Sequence, residues 1–170
     1  MPAAGDAADV HPRAREFKER SIERYGFDPE IREFSEGTKT AEDAAAAIGC
    51  PVGAIASSLV FAAGDDLVVA VTSGANRVEE ARLADALDVD AAAVAMADPD
   101  RVRETVGWAI GGVPPFCHSN DLPVLFDPVL ADHDAVWAAA GTPVAVFPVA
   151  PDRLRRLADA TEAAVAVPRE

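Results

Sequence analysis

Lysine and aromatic residues are scarce in this chain of 170 residues. Two lysines are present, Lys18 and Lys39, and 15 basic residues face 29 acidic ones, so the formal net charge is −14. Such a surface repels phosphate, which excludes DNA and an extended RNA face as partners, although a pocket for the end of an RNA stays compatible with it. The same acidic composition predicts a halophilic protein, because concentrated salt screens the self-repulsion of its surface.

Long apolar runs and cysteine motifs are missing as well. The longest apolar stretch is broken by Gly141, Pro143 and Pro148, and no basic and apolar leader opens the chain, so we expect neither a membrane span nor export. The two cysteines, Cys50 and Cys117, fit no CxxC or zinc-binding spacing. They can form one disulfide, but reduced thiols fit the cytoplasmic location that we expect. We expect no metal and no cofactor.

The composition nevertheless supports a folded domain. Half of the residues are hydrophobic, which excludes general disorder, and with aromatics at 6% the core must consist mainly of Ala, Val, Leu and Ile. The first ten residues are small and polar, so we expect a flexible N-terminus over residues 1–10. The length is that of one domain, which we place over residues 11–170. Strand and helix patterns are intermixed without a regular βαβ rhythm, which predicts an α+β fold on a mixed sheet.

Local signals place the elements along the chain. Proline or capping residues predict helix starts at Pro12, Thr40, Asn76, Asp98, Asp127 and Pro151. Apolar, partly β-branched runs predict strands at 30–34, 55–63, 67–72, 91–96, 122–126, 142–149 and 162–167. The first two helices are predicted to end at Gly26 and Gly49. Only Gly64-Asp65-Asp66 separates the second and third strand runs, which predicts a β-hairpin.

The most informative local feature is the loop Gly111-Gly112-Val113-Pro114-Pro115. Glycines permit unusual φ values and expose backbone N–H groups, and the two prolines stiffen the segment that follows. A rigid loop with exposed N–H donors can hold a carbonyl oxygen or an oxyanion, because donors fixed in advance need no reorganisation. A tight turn between two buried strands would have the same composition. From the residues alone, both interpretations stay open.

Two pairs of adjacent polar residues are candidates for side-chain chemistry. Cys117-His118 has the composition of a thiol–imidazole pair, but sequence neighbours rarely face each other, and a free cysteine is commonly a core residue. His118 can instead line a pocket. Ser57-Ser58 lie on one predicted strand, where adjacent side chains point to opposite faces. No G-x-S-x-G elbow surrounds either serine, so a serine-hydrolase triad is not supported.

Six motifs, taken in order, resemble one known family. They are TAEDAA at 40–45, IASSLVF at 55–61, SGANRV at 73–78, GWAIGGVPP at 107–115, LPVLFD at 122–127 and AGTP at 140–143. Their order and spacing, from about residue 38 to residue 157, resemble the YbaK/prolyl-tRNA synthetase-associated editing-domain family. The resemblance implies a single α+β domain in which helices surround a mixed, barrel-like β-sheet.

The resemblance also implies an activity. Members of this family hydrolyse, in trans and without a metal, the ester that joins a wrong amino acid to the 3′ end of a tRNA. The implied partner is therefore the 3′ end of an aminoacyl-tRNA, and association with an aminoacyl-tRNA synthetase is implied as well. In the family, backbone amides of the loop that runs here from Gly111 to Pro115 face the carbonyl end of the substrate. A hydroxyl or thiol of the substrate often assists.

The same resemblance assigns the site residues. Gly111 and Gly112 are expected to hold the oxyanion through their amides, and Ser57 to hydrogen-bond the substrate. Thr40, Trp108, Pro115 and His118 are expected to contribute to substrate binding. The family motif reads Ile-x-Lys-Ser-Leu, and Ser57 stands in this chain where the family has its lysine. The cation that the family brings to its substrate is therefore missing here, and Lys39 is a poor replacement on sequence position.

Three functions remain open from the sequence. The first is a free-standing deacylase of misacylated tRNA. The missing lysine favours the second, a non-catalytic module that binds aminoacyl-tRNA ends or a small aminoacyl ligand. The third is an unrelated hydrolase of small esters. The deacylase and the binding module would share a fold and a pocket, so the residues do not separate them.

Overall fold

The computed structural model describes residues 10–34 and 40–169. Within these ranges five α-helices lie at α1 Pro12–Tyr25, α2 Ala41–Ile48, α3 Glu80–Leu87, α4 Pro99–Thr105 and α5 Pro151–Ala158. Ten strands lie in the same ranges at β1 Arg32–Glu33, β2 Ile55–Ala63, β3 Asp66–Ser73, β4 Asn76–Val78, β5 Val94–Met96, β6 Val124–Phe126, β7 Val136–Ala139, β8 Ala145–Val149, β9 Thr161–Glu162 and β10 Ala166–Pro168. Lys39 and all but the last residue of the segment 1–10 lie outside the described residues.

The sheet combines antiparallel and parallel pairings. Its strand order is β1-β8-β7-β2-β3-β6-β9, and β5 pairs with β2 outside this path. The long hairpin β2–β3 is antiparallel, whereas β7 runs parallel to β2 and β6 runs parallel to β3. A separate pair joins β10 to β4, with Pro168 opposite Asn76. The predicted single α+β domain, with helices around a mixed sheet, is confirmed.

The hairpin β2–β3 separates two apolar clusters. The main cluster includes Ala56, Val60, Val69 and Val71 from one face of the hairpin and the rings of Phe17, Trp108, Phe116 and Phe147. The second cluster includes Phe61, Val68 and Ala70 from the other face, packed against Leu83 of α3. Because side chains alternate along a strand, neighbours on β2 face different clusters. No helix in the described ranges is long and apolar enough to cross a bilayer.

The predicted helix starts at Thr40 and Asp98 and the predicted helix ends at Gly26 and Gly49 are confirmed. Thr40 begins α2, its hydroxyl accepting the backbone N–H of Asp43 at 3.0 Å. The carboxylate of Asp98 caps α4 in the same way. Gly26 and Gly49 end α1 and α2 with φ values of +68° and +88°, a region in which glycine avoids the clash of a Cβ. In each case the partners lie within a few residues of one another.

Two other local predictions are wrong. Asn76 does not cap a helix: it lies in β4, and α3 begins four residues later without a side-chain cap. The predicted strand 91–96 is a strand only over Val94–Met96, and a 3-10 turn occupies Ala91–Ala93. The short helix predicted at Asp127 is present as a 3-10 helix over Pro128–Asp132, and the carboxylate of Asp127 caps it by accepting the N–H of Val129 at 3.1 Å. Strand β7 escapes prediction because its sequence, VWAA, is short and half alanine.

Candidate functional site

A cavity of about 380 Å³ opens beside the middle of β2. Its walls come from the start of α2, from β2 and β3, from the loop before β6, and from the turn between β7 and β8. Most of the lining side chains are small or apolar, and Glu42 and Arg169 are the charged residues among the described part of the lining. This volume and this mixture of side chains suit a small ligand or the end of a larger one.

The edge of β2 is open where it borders the cavity. Within the described chain, β7 pairs with the first two residues of β2 and β5 pairs with its last three, so residues 57–59 have no strand neighbour on this side. The backbone N–H of Ala97 donates to the carbonyl of Val60 at 3.1 Å on this edge. Because backbone polar groups alternate between the two edges of a strand, those of Ser58 point to the open edge as well.

Ser57 and Ser58 both border the cavity, from opposite faces of β2. Ser57 is half-buried, lies opposite Thr72 in the hairpin register, and shares the face of Leu59. Ser58 lies opposite Val71, on the face of the main cluster. Its Oγ is buried and has no hydrogen-bond partner among the described residues. A buried hydroxyl without a partner is unfavourable by about 1–3 kcal/mol, so Ser58 has an unused hydrogen-bonding group beside the cavity.

The loop expected to hold an oxyanion is a turn in which one of the two glycine amides is occupied. The N–H of Gly112 donates to the carbonyl of Ala109 at 3.0 Å, so this amide serves the turn and not a substrate. Gly112 also packs so closely that a Cβ there would lie 2.6 Å from the Cα of Thr142. Gly111 is exposed and lines the cavity, and its φ value is +94°. Its N–H has no acceptor among the described residues. Of the two glycine amides, the one at Gly111 is therefore the one with an unoccupied N–H.

A buried carboxylate fixes another wall of the cavity. Asp127 accepts the backbone N–H of Ser73 at 3.1 Å and the side-chain Nδ2 of Asn76 at 2.9 Å, and its second oxygen accepts the N–H of Val129 at 3.1 Å. Three N–H groups, from two separate segments of the chain, thus hold this carboxyl group. Ser73 and Asn76 line the cavity, so this carboxylate holds the turn between β3 and β4 in place.

The sequence profile of the aminoacyl-tRNA editing domain matches residues 35–157, a range that contains the open edge of β2 and the Gly111 turn. The chain belongs to this family. The resemblance expected from the six motifs is thereby confirmed.

Relatives of this editing domain agree with the match. The uncharacterized protein YwhH of Bacillus subtilis strain 168 is 30% identical over 126 residues, which cover 74% of this chain and 78% of YwhH. A crystal structure described as that of a candidate trans-editing enzyme for prolyl-tRNA synthetase is 35% identical with a TM-score of 0.85, over 91% of this chain and 97% of the other. A scaffold from work on computational epitope grafting is 32% identical with a TM-score of 0.86, over 94% of this chain and 100% of the other.

Three residues expected to bind substrate lie in the core of this editing domain. Trp108 is wholly buried: its Nε1 donates to the carbonyl of Cys117 at 2.9 Å, and the guanidinium of Arg13 lies 4.1 Å from the ring centroid. Pro115 and His118 are buried too, and none of the three borders the cavity. The chain turns away from the cavity after Val113 and enters the main cluster. Proximity in sequence to the Gly111 turn therefore does not translate into proximity to the cavity.

Cys117 and His118 do not form a nucleophile and its base. Burial raises the pKa of the Cys117 thiol to about 12, although Arg24 and Arg20 oppose the shift, so the thiol stays protonated at neutral pH. Burial also lowers the pKa of His118, whose Nε2 lies 2.8 Å from the carbonyl oxygen of Pro114. A neutral imidazole donates to that oxygen through its Nε2–H. Both residues act as core residues of the editing domain.

Three further polar residues border the cavity, and the sequence analysis assigned one of them, Thr40, to substrate binding. Thr40 borders the cavity, and its hydroxyl also caps α2. Asn76 and Arg169 line the cavity without having been predicted to do so. Arg169 donates through Nε to the carbonyl of Asn76 at 3.1 Å, across 93 positions of sequence. The weak strand pattern at 162–167 does not reveal which strand it pairs with or in which register. The sequence therefore gives no sign that Arg169 lies beside Asn76 at the cavity.

The described residues contain no group of three or more His, Cys, Asp and Glu side chains arranged to hold a metal ion.

Proposed function

We propose that this editing domain hydrolyses, in trans, the ester between a wrong amino acid and the 3′ end of a tRNA. The observation that carries the proposal is the unoccupied N–H of Gly111 at the wall of a cavity of about 380 Å³, within the part of the chain that matches the editing-domain family. A cavity of this size accepts an aminoacyl group and part of the ribose, while the remainder of the tRNA stays outside.

In the proposed reaction a water oxygen adds to the carbonyl carbon of the ester. The former carbonyl oxygen gains the negative charge and accepts the N–H of Gly111, which the turn holds in place before the reaction begins. The bond from carbon to the 3′ oxygen of the terminal ribose then breaks. The proton that the water loses passes through the adjacent 2′-hydroxyl of the ribose to the departing 3′ oxygen. The products are a free amino acid and a tRNA with an intact 3′ end.

The two serines of β2 bind in this proposal and do not act as nucleophiles. Ser57 hydrogen-bonds the substrate, as expected from its place in the family motif, but a neutral hydroxyl adds no charge. Ser58 offers a second hydroxyl whose hydrogen-bonding capacity is unused in the described protein. Among the described residues, neither serine hydrogen-bonds a histidine or a carboxylate, in accord with catalysis that uses a hydroxyl of the substrate.

The proposed substrate is a misacylated tRNA for proline. The solved relative at 35% identity is described as a candidate trans-editing enzyme for prolyl-tRNA synthetase, and we extend that substrate to this chain, together with association with the synthetase. A synthetase site that accepts proline cannot strongly reject smaller amino acids, because removing a methylene from a bound side chain forfeits only about 1–3 kcal/mol. Alanine, serine and cysteine are therefore the misacylating amino acids to test first.

The experiment is a deacylation assay on the purified chain at high salt. Samples of tRNA for proline, charged with alanine, serine, cysteine or proline, are incubated with the protein, and released amino acid is measured. The proposal expects release of at least one of the three wrong amino acids and sparing of proline. A chain that releases none of them is not a deacylase of this tRNA.

A non-catalytic binding module is the second candidate. Its support is the neutral serine at position 57, together with a described cavity lining whose charged residues are limited to Glu42 and Arg169. Such a module would retain aminoacyl-tRNA in a filter-binding or anisotropy assay and leave the ester intact. Binding without release in the same samples would therefore select this function over the deacylase.

A further inference from the structure

Arg169 brings a cation to the cavity from outside the family match. The matched residues end at 157, whereas Arg169 follows β10, which pairs with β4 at the cavity wall. Its backbone N–H donates to the carbonyl of Ala75 at 3.0 Å, and its Nε donates to the carbonyl of Asn76 at 3.1 Å. Two hydrogen bonds thus hold the backbone and the stem of the guanidinium against the turn that follows β3.

Most of the guanidinium remains free to bind a ligand. An arginine side chain has five N–H donors, and the bond to Asn76 uses one of them. No carboxylate of the described residues lies within ion-pair distance of Arg169, although the chain carries a formal charge of −14. The side chain is exposed, while Ser58 Oγ is buried, so the cation lies at the solvent side of the cavity.

The proposed substrate carries an ester at its end and a charged phosphodiester next to it. The ester must reach Gly111 and β2, and the nearest phosphodiester of the RNA must stay hydrated outside. A guanidinium with free N–H groups suits a phosphate, which it can bind through two parallel hydrogen bonds. The charged residue on the α2 side of the lining is Glu42, which repels phosphate, so an approach over β4 and β10 is the electrostatically favoured one for an RNA.

We propose that Arg169 binds the phosphodiester adjoining the terminal nucleotide of the RNA and thereby positions the ester in the cavity. This inference rests on the proposed function, because it takes an aminoacyl RNA end as the ligand. It gives the chain a phosphate-binding residue despite a surface that otherwise repels RNA.

The test compares three variants on two substrates. Arg169→Gln removes the charge, and Arg169→Lys retains it without the fork of donors. Arg77→Gln is the matched control, because Arg77 is an exposed arginine on β4, the strand that pairs with β10, and it does not line the cavity. The substrates are a misacylated tRNA and the corresponding 3′-aminoacyl-adenosine, which carries the ester but no phosphodiester.

On the tRNA, Arg169→Gln is expected to lower kcat/KM by about tenfold or more, the loss of a charged hydrogen bond. The slope of log kcat/KM against log salt should also become shallower by about 0.7, the contribution of one phosphate contact on a single strand. Hydrolysis of the aminoacyl-adenosine should not change, Arg169→Lys should lose less than Arg169→Gln, and Arg77→Gln should match the wild type. Equal losses on both substrates, or no loss on the tRNA, would overturn the inference.

A binding measurement separates this inference from the proposed function. The probe is a CCA trinucleotide that carries alanine through a 3′-amide, which cannot be hydrolysed as an ester. Wild type is expected to bind it about tenfold more tightly than Arg169→Gln, with a steeper salt dependence. If wild type binds the probe in this way but hydrolyses no ester, the deacylase proposal fails and the Arg169 contact stands. If both proteins bind the probe equally, the Arg169 contact is refuted, whatever the activity.

Discussion

Replacement of Gly112 by alanine tests the packing beneath the proposed oxyanion donor. A Cβ at this position would lie 2.6 Å from Cα, 2.7 Å from N and 2.9 Å from C of Thr142. These three atoms are backbone, so no side-chain rotation relieves the contact, and either the turn or the 142–143 segment must move. Overpacking of this kind destabilises by about 1–3 kcal/mol. At about 2–4 °C per kcal/mol for a chain of this size, the melting temperature should fall by roughly 2–12 °C.

The assay measures both melting and hydrolysis. Movement of the turn in Gly112→Ala would also displace the N–H of Gly111, so hydrolysis should fall together with stability. Circular dichroism melts give the stability of Gly112→Ala, and release of amino acid per folded molecule at a temperature well below the melt gives its activity. The matched control is Gly53→Ala, whose Cβ would lie 3.1 Å from the Nε2 of His133, the end of a side chain that can rotate away. We expect Gly53→Ala to melt and hydrolyse like the wild type. A wild-type melt for Gly112→Ala would refute the Thr142 contact, and full activity per folded molecule would refute the role of the turn.

Four further predictions follow from the two faces of β2, the buried residues and the surface charge. Ser57→Lys should fold and raise deacylation of at least one misacylated tRNA. Ser58→Lys should unfold or aggregate, because it buries an unpaired ammonium at a cost of several kcal/mol. A stable Ser58→Lys and an unfolded Ser57→Lys would show that the two serines face the reverse sides of β2. Cys117→Ala should keep its hydrolysis per folded molecule, because a thiol with a pKa of about 12 is not a nucleophile at neutral pH, and loss of activity without unfolding would contradict this. Burial lowers the pKa of His118 in the native state, so below the ordinary value near 6.5 the unfolded chain takes up the proton first and stability is lost as the pH falls. The melting temperature should therefore drop between pH 7.5 and pH 5.5, and less so in His118→Gln; equal drops would contradict it. The melting temperature should rise with KCl toward molar concentrations, where the Debye length is about 3 Å and the repulsion between acidic side chains is screened. A melting temperature that is highest at low salt would contradict the halophilic interpretation.

The sequence predicts the parts of the fold that depend on near neighbours. The cap at Thr40, the glycine that ends each of the first two helices, and the β2–β3 hairpin all rely on residues a few positions apart. Asn76 shows the limit of such reasoning. Its position before Glu79 resembles a capping box, yet its side chain donates to Asp127, 51 positions away, because β6 runs parallel to β3 and brings that carboxylate beside the turn. A cap and a long-range contact have the same local sequence.

The sequence predicts those features of the site that depend on residues close together in the chain. Alternation along β2 predicts that Ser57 and Ser58 face opposite sides, and they do. Glycine content predicts a special turn at residues 111 and 112, but it does not reveal that Ala109 occupies one of the two amides. Trp108 lies next to the turn in sequence and has an indole N–H that could contact a substrate. In the structure its ring is buried and stacks against Arg13, which the sequence does not reveal. Arg169 depends on the register of β10 with β4, which no pattern in the chain specifies.

The measurement that tests the central claim most directly is a deacylation time course with protein present at a small fraction of the tRNA concentration. Alanine-charged and proline-charged tRNA for proline are followed in parallel at high salt, with a protein-free sample to give spontaneous hydrolysis. Catalytic editing in trans predicts that each protein molecule releases many alanines, while the proline ester decays at the spontaneous rate. Retention of alanyl-tRNA by the protein, with both esters decaying only at the spontaneous rate, would contradict the deacylase and leave the binding module.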